Sequence, residues 1–89
     1  MAVYLITYDL NNETVRPKIV KDIKAYDNWA CLSESSYAVV SDGTPEAVYN
    51  YLSKHLDGDD TLYVISLRRP YSGQGSKAVN DWLDTNLQW

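Results

Sequence analysis

The chain has 89 residues and reads as one small domain, a length at which ~60–65% of the unfolded surface is buried on folding and a partner chain is plausible. With 45% hydrophobic and 22% charged residues and only four Gly and three Pro, it is neither collagen-like, low-complexity nor disordered. A net charge of −4 excludes general electrostatic attraction to nucleic acid or an anionic membrane, so any phosphate contact needs a local basic patch. A lone cysteine, Cys31, cannot form an intramolecular disulfide, and with the lone His55 it leaves too few soft ligands for structural zinc. The opening MAVYLITYDL has no signal-peptide features and no apolar run reaches a membrane span, so the expectation is a soluble, cytoplasmic protein.

In chain order, Val3–Leu10 is an apolar, β-branched and aromatic run closed by Asn11-Asn12, and it predicts a first strand. A helix follows, with Thr14 as candidate N-cap and Pro17 in its first turn. Val15, Ile19, Val20, Ile23 and Tyr26 form the stripe of this helix, while Lys18, Lys21 and Lys24 point elsewhere as a solubilising face. Trp29–Leu32 and Tyr37–Ser41, joined by Ser33-Glu34-Ser35-Ser36, predict a hairpin. Thr44-Pro45-Glu46 is a strong helix start, and Ala47, Val48, Tyr51, Leu52 and Leu56 supply the apolar stripe. Asp57-Gly58-Asp59-Asp60 stops that helix, Thr61–Leu67 predicts a fourth strand, and Ser76 caps a last helix carrying Val79, Trp82, Leu83 and Leu87.

This order predicts an α+β fold, a ferredoxin-like βαββαβ antiparallel sheet with two helices on one face plus a C-terminal helix. Residues 2–67 form the core of the single domain, and 68–89 the C-terminal loop and helix. Both faces of the sheet are apolar: Val3 and Leu5 oppose Tyr4, Ile6 and Tyr8, and Leu62 and Val64 oppose Tyr63, Ile65 and Leu67. Two helices cover one face, so the other needs a partner subunit, the terminal helix or a ligand. A homodimer is favoured, with an interface built by Tyr4, Ile6, Tyr8, Tyr37, Tyr63 and Ile65. An alternative use of Tyr4, Tyr8, Tyr37 and Tyr63 is base stacking, but the basic-Gly-aromatic signature of RNA-recognition domains is missing.

Asp9, at the end of the first strand, is the candidate metal-binding and catalytic residue. Paired across a twofold axis, two such carboxylates can hold Mg²⁺ and activate water for phosphodiester cleavage; alternatively, Asp9 closes a turn. Arg16, Arg68 and Arg69 are candidate nucleic-acid-binding residues. The Gly73–Gly75 loop before a helix start is a weak phosphate-binding signal that a plain connector also explains. The acidic loop at 57–60 lacks calcium-loop spacing, Cys31 is expected to be a small buried residue, and His55 has no catalytic arrangement around it. Trp82 fits the core of the last helix, and Trp89 either tethers the tail or lies exposed to a protein partner.

Val3-Tyr4-Leu5-Ile6-Thr7-Tyr8-Asp9-Leu10, then Ser36-Tyr37-Ala38-Val39-Val40 and Leu56 to Ile65, resemble the CRISPR-associated protein 2 superfamily, most of all its SinR-like relatives. The resemblance spans about residues 2–67. It implies a homodimer with facing sheets, acting as a nucleic-acid-associated scaffold or as a metal-dependent endonuclease on RNA or DNA. On that resemblance Asp9 matches the family's aspartate and Arg16 its basic residue at the start of the first helix, while the apolar Trp29-Ala30-Cys31-Leu32 stands where a basic residue is expected. A protein–protein interaction module without nucleic-acid activity is the third expectation.

Overall fold

The computed structural model describes residues Met1–Trp89. Four strands, β1 (Ala2–Asp9), β2 (Trp29–Ser33), β3 (Ser36–Ser41) and β4 (Thr61–Leu67), form one antiparallel sheet in the order β2-β3-β1-β4. Helices α1 (Arg16–Ile23) and α2 (Pro45–Ser53) connect them, and α3 (Lys77–Asn86) follows the last strand. No helix is long and apolar enough to cross a membrane.

Side chains alternate along β1, and this parity builds the core. Tyr4, Ile6, Tyr8 and the following Leu10 are buried on one face with Tyr37, Val39 and Leu62, beneath Ile19 and Ile23 of α1 and Val48 and Leu52 of α2. A chain without Phe builds this layer from tyrosines, whose hydroxyls must find acceptors. Tyr4 donates to the carbonyl of Gly43 (2.7 Å) and Tyr8 to that of Glu34 (3.1 Å), so each ring lies in the core while its hydroxyl reaches a turn at the rim.

The helix starts follow local chemistry. Thr44 caps α2 by accepting from the Ala47 N–H, with Pro45 at the first helical position, and Ser76 caps α3 by accepting from the Val79 N–H. The expected cap at Thr14 is displaced: Asn12 accepts from the Thr14 N–H, a 3-10 turn spans Glu13–Val15, and α1 begins only at Arg16. Asparagine at the strand exit reaches the N–H two residues on, leaving Thr14 inside the turn. The stripe of α2 is narrower than the spacing suggests. Val48 and Leu52 are buried, whereas Ala47 and Tyr51 are exposed.

The second face carries Val3, Ala38 and Leu87, with Val40, Leu67, Trp82 and Leu83 packed around them. The indole N–H of Trp82 donates to Asn28 (2.7 Å), whose amide donates to Asn86 (2.9 Å), fastening α3 beside the start of β2. The terminal helix therefore covers one part of the second face. Leu52 is fully buried between the sheet and α2. Leu52→Ala is expected to cost about 2–5 kcal/mol, read as a lower urea midpoint with an unchanged slope.

Candidate functional site

Strand parity sorts the expected interface residues onto opposite faces. Tyr4, Ile6, Tyr8 and Tyr37 lie under α1 and α2 in the chain's own core, so they are not available to a partner. Tyr63 and Ile65 lie on the other face, because Tyr63 pairs with Thr7 and Ile65 with Leu5. They are 62% and 48% exposed, on a part of the sheet that α3 leaves open. Burial pushes the Tyr37 hydroxyl up to about 12, with the neighbouring Cys31 thiol adding to the effect.

Asp9 falls on that same open face. It pairs with Thr61, is exposed at the end of β1, and its carboxylate makes no hydrogen bond within the chain. The turn-closing alternative is thus not realised: Asn12 performs it. No group of three His, Cys, Asp or Glu side chains is placed to hold a metal ion. A Mg²⁺ ion demands near-octahedral oxygen ligands, and Asp9 of one chain does not fit that requirement.

The three candidate arginines are engaged inside the chain. Arg16 pairs with Glu13 (2.7 Å), donates to the Glu34 carbonyl and lies over the Tyr8 ring, 5.4 Å from its centroid. It thereby ties the start of α1 to the β2–β3 turn. Arg68 donates to the Trp89 carbonyl. Arg69 donates to the carbonyls of Leu87 and Asp84 and pairs with the Asp84 carboxylate (2.8 Å). These two side chains hold the C-terminal tail against the exit of β4 rather than presenting a free basic patch. Arginine suits this role because its planar fork reaches several acceptors at once.

Other expected features resolve locally. Cys31 is exposed, a correction to the buried thiol expected from its apolar neighbours. It lies on edge strand β2, where the register shifts between Cys31 and Ser33 and the strand leaves the helix-covered layer. The 57–60 loop is closed on itself: the Asp59 N–H donates to Asp57, and the Asp57 and Asn11 N–H groups donate to Asp60. At the Gly73–Gly75 loop, the N–H of Val79 is taken by Ser76. Trp89 is exposed, and its backbone carbonyl accepts from Arg68.

Spacing alone did not reveal the contact of Asp22 with His55 (2.6 Å) and Lys54 (3.3 Å), which joins the ends of α1 and α2. The signal was a carboxylate on α1 with basic residues at the end of α2, legible only once the two helices are known to lie side by side.

No family model matches the chain, and no curated protein matches it. Among solved structures, the crystal structure of a hypothetical protein from Thermus thermophilus is similar, with a TM-score of 0.69 and 21% identity over 84% of this chain and 92% of that one. At that identity the likeness concerns the fold: a small α+β domain with a four-stranded antiparallel sheet.

Burial works against ionising Asp22, and the hydrogen bonds from His55 and Lys54 outweigh it, holding the carboxyl below its ordinary range. A carboxylate depressed on folding contributes stability above its unfolded pKa of ~3.9 and loses that contribution as pH falls through the lower folded value. Asp22→Asn is therefore expected to lower stability at neutral pH. In urea titrations across pH, its difference from the wild type should shrink below about pH 4.

Proposed function

We propose that this chain is a ferredoxin-like scaffold that works as a homodimer, related to CRISPR-associated protein 2 and most like the SinR-like members of that superfamily. The observation that carries the reading is the uncovered part of the second sheet face, where Tyr63 and Ile65 stand exposed beside Leu5, Thr7 and Asp9. Two large apolar side chains on adjacent register positions of a regular sheet form a surface whose burial is favourable, and a second copy supplies the same surface by symmetry. The strand order β2-β3-β1-β4 with two crossover helices on one face supports the ferredoxin-like assignment. The protein is read as cytoplasmic, and its association with RNA or DNA as that of a platform, because Arg16, Arg68 and Arg69 already serve intramolecular contacts.

A dimer is expected in sedimentation at micromolar concentration, and the double substitution Tyr63→Ser with Ile65→Ser should convert it to a folded monomer. A wild-type monomer overturns the reading. A dimer that survives the double substitution places the interface elsewhere and returns this face to a protein partner of another kind.

The second reading is a Mg²⁺-dependent endonuclease using Asp9. It is favoured by one observation, the exposure of a carboxylate without hydrogen bonds on the open face, where a second copy brings another. Because one chain lacks a donor set for the ion, any such site depends on the dimer. Asp9→Asn is expected to abolish Mg²⁺-dependent cleavage of RNA or duplex DNA by at least ~100-fold while leaving the dimer intact. Cleavage that persists in this variant excludes the reading.

A further inference from the structure

Three tyrosines of the helix-covered layer differ in what their hydroxyls meet. Tyr4 and Tyr8 donate to the carbonyls of Gly43 and Glu34. Tyr37, although only 7% exposed, donates to no oxygen of the chain. Burial pushes its hydroxyl up to about 12, so at neutral pH it keeps its proton and is a donor without an oxygen acceptor. Buried side-chain donors are nearly always partnered, so this one marks a place where an acceptor from outside the chain is received.

Beside it stands the thiol of Cys31. The two residues are direct partners across β2 and β3, which puts them on the same face of the sheet with Cβ atoms ~4.5–5.5 Å apart. β2 is an edge strand whose register shifts between Cys31 and Ser33, so the thiol is exposed while the ring of Tyr37 is buried. The thiol donates to the Ser33 carbonyl (3.3 Å), which keeps it turned along the hairpin.

Tyr37 also lines a cleft of about 520 Å³ between the start of α1 and the β2–β3 turn, whose other walls are Glu13, Arg16, Val20 and Glu34. Arg16 uses three of its five N–H groups on Glu13 and the Glu34 carbonyl, and two remain free. Of Glu34, only the backbone carbonyl is bonded, by Arg16 and Tyr8, and its carboxylate is free. The cleft therefore offers guanidinium donors for a carboxylate, a carboxylate for an ammonium and a phenol donor, all next to an exposed sulfur. These are the complements of a small zwitterion carried on sulfur.

We propose that Cys31 is a site of thiol–disulfide exchange, which seats one half of a small disulfide with α-amino acid ends, cystine being the simplest, in the cleft beside Tyr37. The Cys31 thiolate attacks one sulfur of the disulfide. The S–S bond of the reagent breaks, a new S–S bond joins that half to Cys31, and the other half leaves as a thiolate that takes up the proton Cys31 released. Cys31 is oxidised and the leaving half is reduced, so the small disulfide is the only oxidant the step needs. The Tyr37 hydroxyl donates to the charge on sulfur, the free N–H groups of Arg16 meet the carboxylate, and the Glu34 carboxylate meets the ammonium. A small thiol reverses the step and empties the cleft.

The test follows adduct formation by intact-protein mass spectrometry with two reagents, cystine and the uncharged hydroxyethyl disulfide, on the folded protein and on the chain unfolded in urea. Cys31 is the sole cysteine, so every adduct reports on it. The ratio of the two rates cancels plain thiol exposure. In the folded protein, the rate with cystine relative to the uncharged reagent is expected to exceed its value in the unfolded chain by about fivefold, the scale of one or two exposed ion pairs. Glu34→Gln keeps the backbone carbonyl that Arg16 and Tyr8 use and is expected to lower that ratio. Tyr37→Phe is expected to slow both reagents by about threefold or more, with its urea midpoint showing that it is folded. Equal ratios in folded and unfolded protein overturn the cleft as the seat of the adduct, and so does a ratio that Glu34→Gln leaves unchanged. A Tyr37→Phe rate equal to that of the wild type overturns the role of the phenol, and a folded protein that forms no cystine adduct overturns the site.

Discussion

The period-two alternation of side chains along β1 is the constraint on which the rest of the molecule depends. β1 is an interior strand of the sheet, paired on both sides, so its even-numbered residues decide which face the helices cover and its odd-numbered residues what is left over. Tyr4, Ile6 and Tyr8 go under α1 and α2, while Val3, Leu5, Thr7 and Asp9 go to the other side. A one-residue slip of register would exchange the two sets. It would strand the Tyr4 and Tyr8 hydroxyls away from the carbonyls of Gly43 and Glu34.

From that partition come two layers with different characters. The helix-covered layer holds the fully buried Ile6, Ile19, Ile23, Val39, Val48 and Leu52, and its polar atoms are satisfied at the rim. The other layer is built from fewer apolar residues and fastened by polar contacts at its borders. Asn28, Trp82 and Asn86 hold one side, and Arg68 and Arg69 hold the tail on the other. Small domains have little interior to spare, and the second layer spends its apolar residues under only part of the face. Tyr63 and Ile65 stay exposed because α3 is fastened on the β2 side of the sheet, away from β4.

Much of the architecture is legible in the chain. The limits of β4, the caps at Thr44 and Ser76 and the hairpin of β2 and β3 follow from residue types whose preferences are local. Thr14 lost its expected role to Asn12 because two capping residues compete within one turn and the earlier one reaches the N–H first. Cys31 is exposed for a different reason. Apolar neighbours in sequence do not bury a residue on an edge strand that bends out of register. Asp9 stands out in the sequence by its place at the end of a strand; the fold puts it at the end of β1, exposed on the open face. Arg16, Arg68 and Arg69 looked like phosphate ligands because composition records their charge but not the acceptors that distant turns bring to them.

The sequence by itself determined the order of elements, where α2 and α3 begin, and that both faces of the sheet are apolar, since propensity, capping and alternation act over a few residues. Only the tertiary structure decided which face each tyrosine occupies, that α3 covers part of the second face, and that Arg68 and Arg69 hold the tail. These depend on contacts between segments far apart in the chain, such as Arg69 with Asp84 and Asn28 with Trp82. The length of 89 residues made a partner chain plausible, and the charge of −4 argued against a general attraction to nucleic acid. Strand pairing sets Tyr63 and Ile65 beside Thr7 and Leu5, exposed on the part of the second face where no helix reaches.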